Sequence, residues 1–131
     1  MQEKRDGILA LDFGTKKVGL AISHGFVAEP LKSVLFRDNE DAFFDKISEV
    51  VREQKVGLIL VGLPLEEGLE TKQSNWTRER ATELSHKVDC EIEFIDEAFS
   101  TAEAIENLNG GGDVDSEAAK IILEQYLQSK K

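Results

Sequence analysis

The chain has 131 residues, with 26 acids against 16 bases and a net charge of −10, which is enough for one domain with a core and too few for two. That charge weighs against a generic nucleic-acid binder, which carries an excess of Lys and Arg, so any basic patch on this acidic whole has to be located. One cysteine, Cys90, excludes an internal disulfide. No apolar run approaches the ~20 residues of a membrane span. Residues 1–7 are polar and lack the pattern of a signal peptide, so the expected compartment is the cytosol, with no membrane partner.

Residues 7–13 read as a mostly apolar, hence central, strand, and residues 18–23 as its hairpin partner across a turn at 14–17. A third strand covers 31–36. Ala42, Phe43, Ile47, Val50 and Val51 recur at helical spacing and predict a helix over 40–53. Residues 56–62 form a buried strand ended by Gly62 and Pro64, followed by a helix over 74–88 with Ala81, Leu84 and Val88 on one face. A fifth strand spans 92–96. Ser100 and Glu103 form a capping box that opens a short helix, and the run from Asn109 to Gly112 breaks it. The last helix covers 116–128 and turns Ala119, Ile122, Leu123, Tyr126 and Leu127 inward. No repeat, low-complexity stretch or linker interrupts this order. A strand meander followed by βα alternation predicts one α/β domain, a five-stranded mixed sheet with helices on both faces.

In open α/β sheets, ligands bind beyond the carboxyl ends of the strands. Asp12 stands at the tip of the first strand, Asp96 and Glu97 end the fifth, and Asp115 opens the last helix, where positions 115, 118, 119, 122 and 126 share a face. Acids converging at one sheet edge repel one another unless a divalent cation lies between them. Carboxylate oxygens without His or Cys favour Mg²⁺ or Mn²⁺. A pair of such ions can activate water and stabilise the leaving oxygen of a phosphodiester. Each acid alone has a plainer role: Asp12 as a turn residue, Asp96 and Glu97 as a solvated edge, Asp115 as a helix N-cap. The metal site needs all three together. Lys16 and Lys17 read as hairpin surface charges, His24 and His86 as surface or edge residues, and Trp76 and Cys90 as packing residues.

The segment Ala10-Leu11-Asp12-Phe13-Gly14-Thr15-Lys16-Lys17-Val18-Gly19-Leu20-Ala21 resembles the opening of the YqgF/RuvX family. Val61-Gly62-Leu63-Pro64-Leu65, Asp96-Glu97-Ala98-Phe99-Ser100-Thr101 and Val114-Asp115-Ser116-Glu117-Ala118-Ala119 are similar to that family's later motifs, in the same order. The resemblance implies a ribonuclease H-like fold related to Holliday-junction resolvases. It also implies a nuclease that matures the 5′ end of pre-16S ribosomal RNA. By motif, the catalytic and metal-binding acids fall on Asp12, Glu97 and Asp115, with Asp96 beside them, and the ions are Mg²⁺ or Mn²⁺.

Three departures from the family pattern remove cations or neutral contacts: Ala98 in place of Arg, Glu66-Glu67-Gly68-Leu69 after Leu65, and Gly110 to Asp113 before Asp115. Lys16, Lys17, Lys72, Arg78 and Arg80 remain as substrate-binding candidates for structured RNA or, alternatively, a DNA junction. Other readings are a regulatory member without catalysis, and an actin-like ATPase, which shares the Asp-x-Gly-Thr hairpin but places its nucleotide between two such domains.

Overall fold

The computed structural model describes residues 5–14, 16–35, 40–96 and 114–129, with side chains of the last stretch from residue 116 onward. The elements are β1 (Gly7–Phe13), β2 (Lys17–Ser23), β3 (Glu29–Leu35), α1 (Glu40–Glu53), β4 (Val56–Leu63), α2 (Lys72–Ser85), β5 (Glu91–Asp96) and α3 (Val114–Ser129). They build a five-stranded sheet in the order β3-β2-β1-β4-β5. Pairs β1·β2 and β2·β3 are antiparallel, while β1·β4 and β4·β5 are parallel. The expected mixed sheet with helices on both faces is what the chain forms. Among the described residues, no helix is long and apolar enough to cross a membrane.

Strand alternation divides the core in two. On one face, Leu9, Leu11, Phe13, Ile59 and Val61 pack against Phe43, Phe44 and Ile47 of α1 and Ala81 and Leu84 of α2. On the other, Ala10, Ala21 and Leu60 meet Ala119, Ile122 and Leu123 of α3, with Ile95 and Tyr126 at the margin. The small side chains of Ala10 and Ala21 let α3 lie close over β1 and β2. With both faces covered, β1 lacks polar alternation and reads as the near-continuous apolar run expected of a central strand.

Several boundaries differ from the expected ones, for local reasons. Helix α2 starts at Lys72 because Thr71 caps it: Thr71 Oγ1 accepts from the Ser74 amide at 3.0 Å, and Ser74 Oγ accepts from the Thr71 amide at 2.7 Å. It ends at Ser85, short of Val88, as the chain tightens into a turn with both the Lys87 and Val88 amides on the Leu84 carbonyl. Strand β3 takes in Glu29 and Pro30, which an edge strand tolerates because the missing amide faces no partner. Helix α3 begins at Val114, so Asp115 lies within its first turn and not ahead of it as a cap. The capping box at Ser100 and Glu103 and the break at Asn109 to Gly112 fall outside the described residues.

Candidate active site

Asp12 is the one charged residue of β1 and is only 7% exposed. A carboxylate is kept in such a place only where its charge is compensated or used. Alternation from Ala10 puts it on the α3 face of the sheet. The first turn of α3 is tied to the same region. Ser116 is fully buried, and its Oγ accepts a hydrogen bond from the Leu20 amide at 3.2 Å. Leu20 pairs with Leu11 and Gly19 with Asp12 across β1·β2, and the β2·β3 ladder slips between Val18 and Leu20. The start of α3, and with it the backbone of Asp115, therefore lies over the strand pair that carries Asp12.

The β5 tip is resolved by parity. Ile95 packs on the α3 face with Ala10, so Asp96, the next residue, points to the α1/α2 face and is exposed. Asp96 and Asp12 thus face opposite sides of the sheet. Glu97 lies outside the described residues, and of Asp115 the backbone alone is described. Among the described residues, no three His, Cys, Asp or Glu side chains group at metal-ligand spacing.

The five candidate cations separate. Lys16 is exposed in the β1–β2 turn, which the Gly14 amide closes onto the Lys17 carbonyl at 3.0 Å; Lys17 is half-buried at the start of β2. Lys72 is exposed in the first turn of α2, which Thr71 Oγ1 anchors to the Pro64 carbonyl just beyond β4. These three stand at the carboxyl edge of β1 and β4. Arg78 lies further along α2, stacked 4.8 Å from the Phe94 ring centroid and forked by Glu70 at 2.8 and 3.1 Å. That fork holds the Glu70 carboxyl below the usual carboxylate range and raises the Arg78 guanidinium. Arg80, 17% exposed, reaches Glu40 at 2.7 Å, Glu83 at 3.3 Å and Glu79 at 3.4 Å, and lies over Trp76. It holds α2 to the start of α1 on the face away from α3.

Among the described residues, neither the thiol nor the imidazoles are placed to compete with the acids. Burial, with Asp89 adding, pushes the Cys90 thiol up, so little thiolate is present near neutral pH. His24 is exposed with Nε2 against the Gln54 carbonyl at 2.8 Å, and His86 caps the end of α2. A buried Asp12 beside the helix that carries Asp115 offers hard oxygen donors of the kind Mg²⁺ or Mn²⁺ takes, with no imidazole or thiolate on that face to favour a softer ion.

The sequence reading missed Ser116 and Thr71 as positioning residues. A Thr three residues before a Ser was the available signal for Thr71, but the capping-box signature expects Glu or Gln at that third position.

A parallel core with an antiparallel hairpin edge, flanked by helices on both faces, defines the ribonuclease H-like class. RuvC of Thermus thermophilus in complex with Holliday junction substrate has this fold: TM-score 0.62 at 9% identity, covering 95% of this chain and 94% of that one. A second Thermus thermophilus RuvC structure gives 0.59 with 95% of both chains covered. The family model of RuvX, described as Holliday junction resolvase, matches residues 6–129. The relative from Maridesulfovibrio salexigens is 40% identical over 131 residues, covering 92% of this chain and 96% of the relative. The relative from Bordetella pertussis is 35% identical over 125 residues, covering 93% of each. Both carry the name "Putative pre-16S rRNA nuclease". This chain belongs to the RuvX family.

Proposed function

We propose that this chain is a cytosolic, single-domain nuclease that hydrolyses phosphodiester bonds at the 5′ end of pre-16S ribosomal RNA, using Mg²⁺ or Mn²⁺ held by Asp12, Glu97 and Asp115. The observation that carries the reading is Asp12, a carboxylate on a strand covered on both faces, turned toward the face on which the Asp115 helix begins. Family membership and the names of the relatives supply the reaction and the RNA. Glu97 is assigned in preference to Asp96 because Asp96 faces away from Asp12.

Asp12, Glu97 and Asp115 would hold the metal, which would supply Lewis acidity for phosphodiester hydrolysis. The chain's own residues fix the geometry. β1 holds the Asp12 carboxylate on a rigid strand, which loses little orientation to thermal motion. The Ser116 tie sets how closely the start of α3 approaches that strand. Lys16 and Lys72, exposed at the same edge, are the cations available there to meet backbone phosphates.

The test is cleavage of a pre-16S 5′ precursor RNA and of a four-way DNA junction, each with Mg²⁺ or Mn²⁺ and with chelator. The expected result is metal-dependent cut RNA. Preference for the junction favours the second reading, DNA-junction resolution, which the family's description supports.

A further inference from the structure

In a chain of net charge −10, the surface that meets a polyanion has to be found, and Arg78 and Arg80 are already committed to carboxylates. A different concentration of positive charge lies at the opposite end of the sheet. A groove of about 420 Å³ is lined by Arg5, Arg52, His86, Lys87 and Asp89 over an apolar floor that includes Val51. Four segments converge on it: the chain entering β1, the last turn of α1, the end of α2 and the lead into β5. Arg5 and Asp89 form an ion pair and cancel, which also holds the Asp89 carboxyl below its usual range. Among the described residues, neither Arg52 nor Lys87 has a carboxylate partner, so the groove keeps two positive charges and the His86 ring. The carbonyl ends of α1 and α2 favour cations here. That preference accounts for cations at each helix end but not for their convergence on one concave space.

We propose that this groove binds a phosphate group, supplied by the backbone of the nucleic-acid substrate, as a contact remote from the cleavage site. Arg52 can fork two phosphate oxygens, Lys87 adds a point charge and His86 a ring nitrogen. The seven residues of β1 separate the groove from the Asp12 edge, a rise of ~20 Å. A substrate long enough to reach both ends gains affinity that a short one does not. This inference rests on the nucleic-acid reading above.

The experiment is binding of a labelled pre-16S 5′ precursor RNA across a salt series, by fluorescence anisotropy. It compares wild type, the double variant Arg52→Gln/Lys87→Gln, and the charge-preserving Arg52→Lys/Lys87→Arg. Two lost phosphate contacts should weaken binding about 10- to 20-fold near ~0.15 M salt and reduce the slope of log affinity against log salt by roughly 1.4–1.8. The charge-preserving variant should restore both. An RNA too short to span the sheet should bind wild type and double variant alike. If wild type binds and cleaves RNA but the double variant matches it in affinity and slope, the groove is no phosphate site and the nuclease reading stands. If wild type binds no RNA, yet inorganic phosphate shifts the NMR signals of His86 and Lys87, the groove takes a free anion. The nucleic-acid source proposed here is then overturned together with the reading beneath it.

Discussion

At the scale of single residues, two contacts decide how the proposed site is held and which cations are available to it. Ser116 Oγ takes the Leu20 amide across 96 positions of sequence. Ser116→Ala leaves that buried amide without its partner, at a cost of about 1–3 kcal/mol. Urea unfolding should show that loss, and the cleavage rate should fall further than a stability change alone explains, because the start of α3 loosens over β1. Glu70 and Arg78 make the second contact. The Glu70 carboxyl is depressed below its unfolded value, so the pair stabilises the protein above the ordinary carboxylate range and stops doing so as pH falls through the folded value. Melting temperatures from pH 7 to pH 3 should therefore show wild type above Glu70→Gln at neutral pH and the gap closing in acid. A gap independent of pH would mean that Glu70 acts by packing. Asp12 was legible as a site candidate because it is the one charge ending an apolar run. The pairs Arg78–Glu70 and Arg80–Glu40 were not, since their partners lie 8 and 40 positions apart and no helical spacing joins them, although Arg80–Glu83 is an ordinary i,i+3 helix pair.

At the scale of elements, the described strands and helices agree with the expected order, and the errors gathered at ends set by side chains. Thr71 is the clearest case. Its hydroxyl accepts from the Ser74 amide and donates to the Pro64 carbonyl, both at 3.0 Å, capping α2 and fastening it to the chain leaving β4. Thr71→Ala should cost about 0.5–2 kcal/mol by loss of the cap, and Thr71→Ser, which keeps the hydroxyl, should recover most of it in a denaturant titration. The end of β5 teaches a related lesson. Sequence offered Asp96 and Glu97 as adjacent acids, and only the face on which Ile95 packs shows that Asp96 turns away from Asp12. Strand parity is legible in a sequence where polar and apolar residues alternate. Here Glu91 and Glu93 share a face with Ile95, so the pattern gave no reliable sign.

At the scale of the whole molecule, the mixed sheet and its two helical layers were legible because a meander followed by βα units leaves few ways to cover both faces. The charge balance was legible as a number but not as a distribution, which depends on which cations the fold pairs and which it leaves in the groove at the amino ends of the strands. The central claim is that Asp12 belongs to a cluster of acids built around a divalent metal. Such acids, held together without metal, repel and destabilise the apo protein at neutral pH. A metal that binds only the folded state restores stability by mass action, about 2.7 kcal/mol at a hundredfold excess over the dissociation constant. The direct measurement is thermal melting of wild type and Asp12→Asn, with and without Mn²⁺. Mn²⁺ should raise the wild-type melting temperature and leave the variant nearly unmoved, with the metal-free variant at least as stable as metal-free wild type. An equal response of both proteins to Mn²⁺ would contradict the account and leave Asp12 a buried strand residue of β1 with no metal to hold.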